Sequence, residues 1–412
     1  MSEETHRRHI NTREGPRCES FTFVSVDSGL PAGALNVRLP RALWRIGIVA
    51  IAGLLVAACG HHGKSITVDR EIFFPDVKPR VDAVSRTQDG GFVVAGFGPT
   101  AWVLATDSHG TLLWRFTDPF DSSINTGSQS VPQSEFHGAV SLANGNTLLC
   151  GGKYKNGHTQ SLRVILDRHG SVVDRRAEVP NDDPRFIYSN FYQCFPWHDR
   201  ILLLGNANDG THGYIWFVEL DGNGTKNRQA FVDNVPAVKS GDSIGPSFVF
   251  TAWDSNDNLR VIRANEKGET LAKRVIAGDF IVQLRSTVES RQTSVIIYRA
   301  GGATLYRLDE HLQDAQPPTA IADFDVLAGC GYVLADTTIA LFGRWPDAAV
   351  AWIRGRDKTY TLRPLDSKYL SSTVSDAVPI STDQFVTVRG SNGKDSKDQG
   401  LVMSWVTIKE SK

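Results

Sequence analysis

Few residues of this 412-residue chain stand in patterns that could do chemistry. Cys59 ends the run Leu54-Leu55-Val56-Ala57-Ala58-Cys59, a thiol set behind small residues. Asp254-Ser255-Asn256-Asp257-Asn258 alternates oxygen ligands in the manner of a calcium loop, but Leu259 stands where that loop needs Gly and Asn265 where it needs a bidentate Glu. A hairpin turn is therefore the expectation there. His109, His169 and His311 recur at one turn position, which points to turn chemistry, since one active site does not need a copy in every unit. His61 and His62 lie in a polar linker and read as exposed. The chain has no vicinal cysteine pair, CxxC, G-x-S-x-G elbow, H-E-x-x-H or Walker loop. Neither a cofactor nor a metal ion is expected. Carboxylates brought together from distant segments leave no local signature, so any site depends on the elements that position it.

The first of those elements is an address. Arg38, Arg41 and Arg45 precede residues 46–58, which carry no ionisable side chain. That stretch is shorter than the roughly 20 residues a membrane-spanning helix needs. Positive charge, a short apolar run, small residues and then a cysteine is the layout of an export signal, and it resembles the lipobox of bacterial lipoproteins. The resemblance implies removal of residues 37–58, acylation of Cys59 by chains such as palmitate, and attachment to the bacterial cell envelope through lipid without a span. Gly60, in place of an acidic residue after the cysteine, is similar to outer-membrane sorting, with the protein facing the periplasm or the cell surface. The polar residues 1–36, with Arg7, Arg8, Arg13, Arg17 and Cys18, precede this signal, and translation starting near Val37 would make them an extension outside the folded protein. Residues 59–65 then form a lipidated linker, and residues 66–412 the folded domain.

Lys plus Arg number 44 against 45 Asp plus Glu. With no basic block beyond the signal, a nucleic-acid partner is not expected. After the anchor only Cys150, Cys194 and Cys330 remain. Their wide spacing reads as buried small hydrophobes and allows at most one disulfide.

The rest of the chain repeats. The clearest unit is Val81 to Val84, a turn at Gln88-Asp89-Gly90-Gly91, Phe92 to Gly96, Trp102 to Ala105, a turn at Asp107-Ser108-His109-Gly110, and Leu112 to Phe116: four short strands with hairpin turns. Further units begin at Gly138, Phe191, Ser247, Ile281, Val326 and Thr373. Aligned on Asp107, Asp167, Asp221, Asn265, Asp309 and Asp357, they recur every 45 to 60 residues or so, the length of a four-stranded blade. Trp102, Trp216 and Trp352 each stand five residues before one of those acids, a register that predicts packing between neighbouring sheets.

The stretch from Ala105 to Trp114 resembles the repeat of quinoprotein-like and other bacterial β-propellers. The expected fold is all-β: a β-propeller of seven four-stranded blades, with Ile66 to Phe74 closing the last blade against Leu401 to Ile408. Signal, lipidated cysteine, short linker and ring of blades is also the layout of envelope propeller lipoproteins. In such a ring the first strands line the central channel, which makes Asp82, His137, Gln193, Gln283, Asp325 and Asp376 the candidate binding residues. The longer Pro119 to Glu135 loop is a second candidate. The leading expectation is a noncatalytic, lipid-anchored scaffold that binds an envelope protein. A glycan-active hydrolase or lyase and a small-ligand sensor are the alternatives.

Overall fold

Runs of three to a dozen residues, apolar on the buried face and broken by Gly, Asn and Asp turns, specify short antiparallel strands. A computed structural model describes residues 64–410, apart from 78–79, 123–131, 156, 233–236, 254–257, 277–279, 288–291, 300–301, 323–330, 334–338, 346, 354–359, 366–373 and 393–398. The signal region, Cys59, Cys330, Asp325 and most of the calcium-like segment at Asp254 therefore lie outside the described residues. Among the described residues no helix is long and apolar enough to cross a membrane.

Strand β1 (Lys64–Phe74) precedes a succession of four-stranded antiparallel sheets. They are β2 (Val81–Arg86) to β5 (Leu112–Thr117) through β3 (Phe92–Phe97) and β4 (Ala101–Thr106); and β6 (Ser134–Ser141), β7 (Thr147–Lys155), β8 (His158–Leu166) and β9 (Val172–Glu178). Next come β10 (Tyr188–Trp197), β11 (Arg200–Asn208), β12 (Gly213–Asp221) and β13 (Lys226–Phe231), then β14 (Ala237–Ile244), β15 (Ser247–Trp253), β16 (Leu259–Asn265) and β17 (Thr270–Ile276). After them follow β18 (Phe280–Thr287), β19 (Gln292–Arg299), β20 (Gly302–Leu308) and β21 (Asp314–Ala322), and β22 (Gly331–Val333), β23 (Ile339–Trp345), β24 (Asp347–Ile353) and β25 (Tyr360–Pro364).

The expected count of seven blades needs correction: among the described residues six sheets are built from four consecutive strands. The remaining sheet is a composite of both chain ends, in the order β1, β28 (Gln399–Glu410), β27 (Gln384–Asn392), β26 (Asp376–Pro379). Ile66 faces Ile408 and Phe74 faces Leu401 across its β1–β28 ladder. A buried latch reinforces that ladder: Arg389 donates to Glu71 at 2.6 Å and to the Ser404 hydroxyl at 2.8 Å. A second correction concerns the fourth unit. Ser247 to Trp253 is its second strand, and the innermost strand is β14, whose Lys239, Ser240, Gly241 and Asp242 hide any apolar alternation.

The core lies between neighbouring sheets. Val93, Val103, Phe136, Leu149 and Val164 fill one interface, and Phe195, Phe217, Phe248 and Phe250 another. Trp102 and Trp216 are buried there, the Trp216 ring 4.9 Å from that of Phe191. Trp352 lies on β24, but its side chain is outside the described set.

At one end of the blades the turns share one device. Asp107 Oδ1 accepts the backbone N–H groups of His109 and Thr111, both at 2.8 Å. Asp167, Asp221, Asn265 and Asp309 each accept the equivalent pair. Such side-chain acceptors close the turn in place of backbone. His109, His169 and His311 enter this arrangement through their backbone amides.

Candidate functional site

At the other end of the blades the innermost strands are bulged. The β2–β3 ladder skips a residue between Val81 and Ala83, β6–β7 between Phe136 and Gly138, and β10–β11 between Phe191 and Gln193. Asp82, His137 and Tyr192 are therefore equivalent residues, each skipped in the register of its ladder and re-aimed by its bulge. The second strands carry glycines to admit this geometry. A Cβ on Gly96, Gly151 or Gly205 would lie 2.2, 1.9 or 2.1 Å from the carbonyl oxygen of Arg80, Glu135 or Asn190 respectively.

Because β2, β6 and β10 are adjacent, the three bulged residues converge. His137 Nδ1 lies 2.6 Å from Asp82 Oδ2. Its Nε2 is 3.0 Å from Glu135 Oε1, an ion-pair contact too bent to count as a good hydrogen bond. Asn190 donates to the same Glu135 oxygen at 2.6 Å. The Tyr192 ring stacks on the imidazole, 5.3 Å between centroids and 14° from parallel, while Phe97 meets it edge-on at 5.9 Å. The Tyr188 and Tyr192 hydroxyls are 2.8 Å apart, and the Arg80 guanidinium lies 4.1 Å from the Phe97 ring centroid.

Burial alone would push the His137 imidazole toward its neutral form, but the hydrogen bond to Asp82 and the pairing with Glu135 outweigh it and raise its pKa to about 9. Burial works against the Glu135 carboxylate too, yet His137 and Asn190 hold its pKa below the usual value. The tyrosine hydroxyls are pushed up, chiefly by burial. At neutral pH His137 is thus an imidazolium and Glu135 a carboxylate, faced by two un-ionised phenols. Its side chains remain reachable: His137, Asp82 and Glu135 are 13%, 23% and 21% exposed. Asp82 takes the imidazole Nδ1 and Glu135 lies against Nε2, and among the described residues no cluster is set to hold a metal ion.

The other candidates do different work. Asp376, on β26, accepts the Val84 amide of the neighbouring blade at 2.8 Å, and Gln193 accepts the Gly241 amide at 2.5 Å. Both clasp one blade to the next. Gln283 lies on β18 with its side chain outside the described set, and Asp325 is outside the described residues altogether. Most of the Pro119 to Glu135 loop is likewise outside them. Its base is pinned by Gln133, which exchanges hydrogen bonds with the Asp121 backbone, and its last residue, Glu135, enters the cluster. Tyr188, Asn190, Tyr192 and Arg80 are not among the sequence candidates, and Glu135 is there only as the end of the second-candidate loop. The second-strand glycines are the signal that could have found them, because each marks where an inner strand presses close.

No family model and no curated protein matches the sequence. Among solved structures, the Dos1 propeller is similar over 80% of this chain and 78% of its own, with 10% identity and a TM-score of 0.50. Kuenenia stuttgartiensis hydrazine synthase is similar over 79% of this chain and 95% of its own, with 9% identity and a TM-score of 0.51. At such identities the likeness speaks for fold alone. With the sheet order and the packing between sheets, it makes residues 64–410 a β-propeller.

Proposed function

We propose that this propeller is a noncatalytic binding module of the bacterial envelope, anchored by lipid on Cys59, that docks a protein partner where the first three blades carry their bulges. The observation behind this reading is the state of the Asp82–His137–Glu135 cluster. A general acid or base needs a proton affinity near the working pH, whereas His137 is held as a cation and Glu135 as an anion. Each group is spent on its neighbours. What the cluster offers instead is the half-buried rings of Tyr188 and Tyr192, while Phe97 and Asn190 are buried; tyrosine is among the residues that anchor protein interfaces. The lipid anchor rests on the layout around Cys59, and the envelope location follows from it.

Affinity purification of the detergent-solubilised protein tests this. The wild type should recover one specific envelope protein, and Tyr192→Ala should lose it while still folding. Recovery of nothing above background would refute the reading.

One observation favours an enzyme. Asp82 and Glu135 flank a single imidazole, and a pair of carboxylates facing one site is what glycosidases use. The imidazolium fills the gap that a sugar and a water would need. Turnover of an envelope glycan, abolished by both Asp82→Asn and Glu135→Gln, would establish this second reading over the first.

A further inference from the structure

Below the bulges lies a pair of nucleophilic side chains that the cluster does not use. Cys150 on β7 and Cys194 on β10 are both free and buried, and they belong to neighbouring blades. A Cβ on Gly138 would lie 2.7 Å from each sulfur, so the two sulfurs are within 5.4 Å of each other. Gly138 faces Cys150 across the β6–β7 ladder and directly follows His137. Only a residue without a side chain leaves the space in which the two thiols meet.

We propose that Cys150 and Cys194 form a disulfide that bolts the second blade to the third. The two S–H bonds break and one S–S bond forms. The pair gives up two electrons and two protons to a disulfide-class oxidant, which leaves as a dithiol. In an exported protein that oxidant is a thiol–disulfide oxidoreductase of the envelope. The assignment rests on the export reading for this oxidant alone. Burial, with Cys194 alongside, pushes the Cys150 thiol well above its ordinary pKa. A buried thiol of that kind attacks poorly, so the bond forms while the blades close. Cys194 stands two residues after Tyr192, and the bond fixes the bulge of β10 against that of β6. His137 and Tyr192 then stack across a covalent strut.

The test uses the detergent-solubilised full chain, reduced, unfolded and refolded with glutathione disulfide, then alkylated under denaturing conditions and digested without reductant. A peptide linking Cys150 to Cys194 is expected, with Cys330 alkylated. Reductant should lower the melting temperature by about 5 °C, a shift absent from Cys150→Ser and Cys194→Ser. Alkylation of both cysteines after oxidative refolding, or a link through Cys330, would overturn the assignment. The same chemistry on protein trapped directly from cells separates the two readings. Free thiols in cells beside a bond in vitro support the pairing and count against export.

Discussion

The two ends of the blades solve opposite problems. At the turn end, Asp107, Asp167, Asp221, Asn265 and Asp309 perform one task in successive blades, each closing a hairpin through two backbone amides. At the bulged end the backbone device recurs as faithfully, in β2, β6, β10, β14 and β18, but the bulged residues are Asp82, His137, Tyr192, Lys239 and Val282. Where the repeat needs a side chain for folding, its chemistry is held. Where it needs only a backbone shape, the side chain is free to differ, and that is where three different residues assemble one cluster.

The largest effects should come from what supports both ends. Trp216→Ala empties the space against Phe191 and should cost about 3 to 5 kcal/mol in denaturant unfolding. Gly205→Ala should cost at least as much, because its Cβ would meet a backbone oxygen that cannot give way. A mild effect from Gly205→Ala would mean that the bulge is soft, and the contrast between the two ends would lose its physical basis.

Next comes His137, whose effect should carry a pH signature. Its folded pKa, about 9, stands above the unfolded value of 6.5. The stabilisation is therefore complete below pH 6.5 and is lost as pH rises through 9, and a shift of that size corresponds to about 3 kcal/mol. Glu135 behaves oppositely, its depressed pKa adding stability that is lost as pH falls through the acid range. Chemical denaturation of the wild type between pH 6 and 9.5 should show the decline, and His137→Gln should flatten it. A wild-type profile already flat would show that the imidazole is not held as a cation.

The same contrast explains what could be read from the sequence. Turns are local, so Gly110, Gly170 and Gly224 at positive φ, each three residues after an Asp, are visible as a pattern. The strands between them follow from alternation. The bulges are not local. One extra residue in an inner strand moves every later side chain to the other face, so the sequence candidate is Gln193 when Tyr192 is the bulged residue. Asp82 and His137 are the bulged residues themselves, but nothing in the sequence joins Asp82 to a histidine 55 positions away. Asp376 and Gln193 sit on inner strands, yet spend their side chains on backbone amides of neighbouring blades, a role that composition cannot distinguish from channel lining.

Smaller effects test whether the turn end is uniform. Asp221→Ala removes one acceptor for two amides and should cost about 1 kcal/mol, comparable to losing a helix cap. Asp167→Ala should lower stability in the same direction, because its geometry is the same. A clear difference between them would mean that the turns are not equivalent.

The smallest expected effect is the sharpest comparison. His169 and His137 are the same residue type in the same blade, at opposite ends of it. His169 serves its turn by its amide, which alanine also possesses, and its ring meets the exposed Arg168 side chain at 3.2 Å. His169→Ala should therefore change unfolding stability by no more than about 0.5 kcal/mol and leave the pH profile as it was. If His169→Ala instead reproduced the loss seen with His137→Gln, the histidines of this chain would share a role, and the bulged cluster would be one copy of a repeated feature.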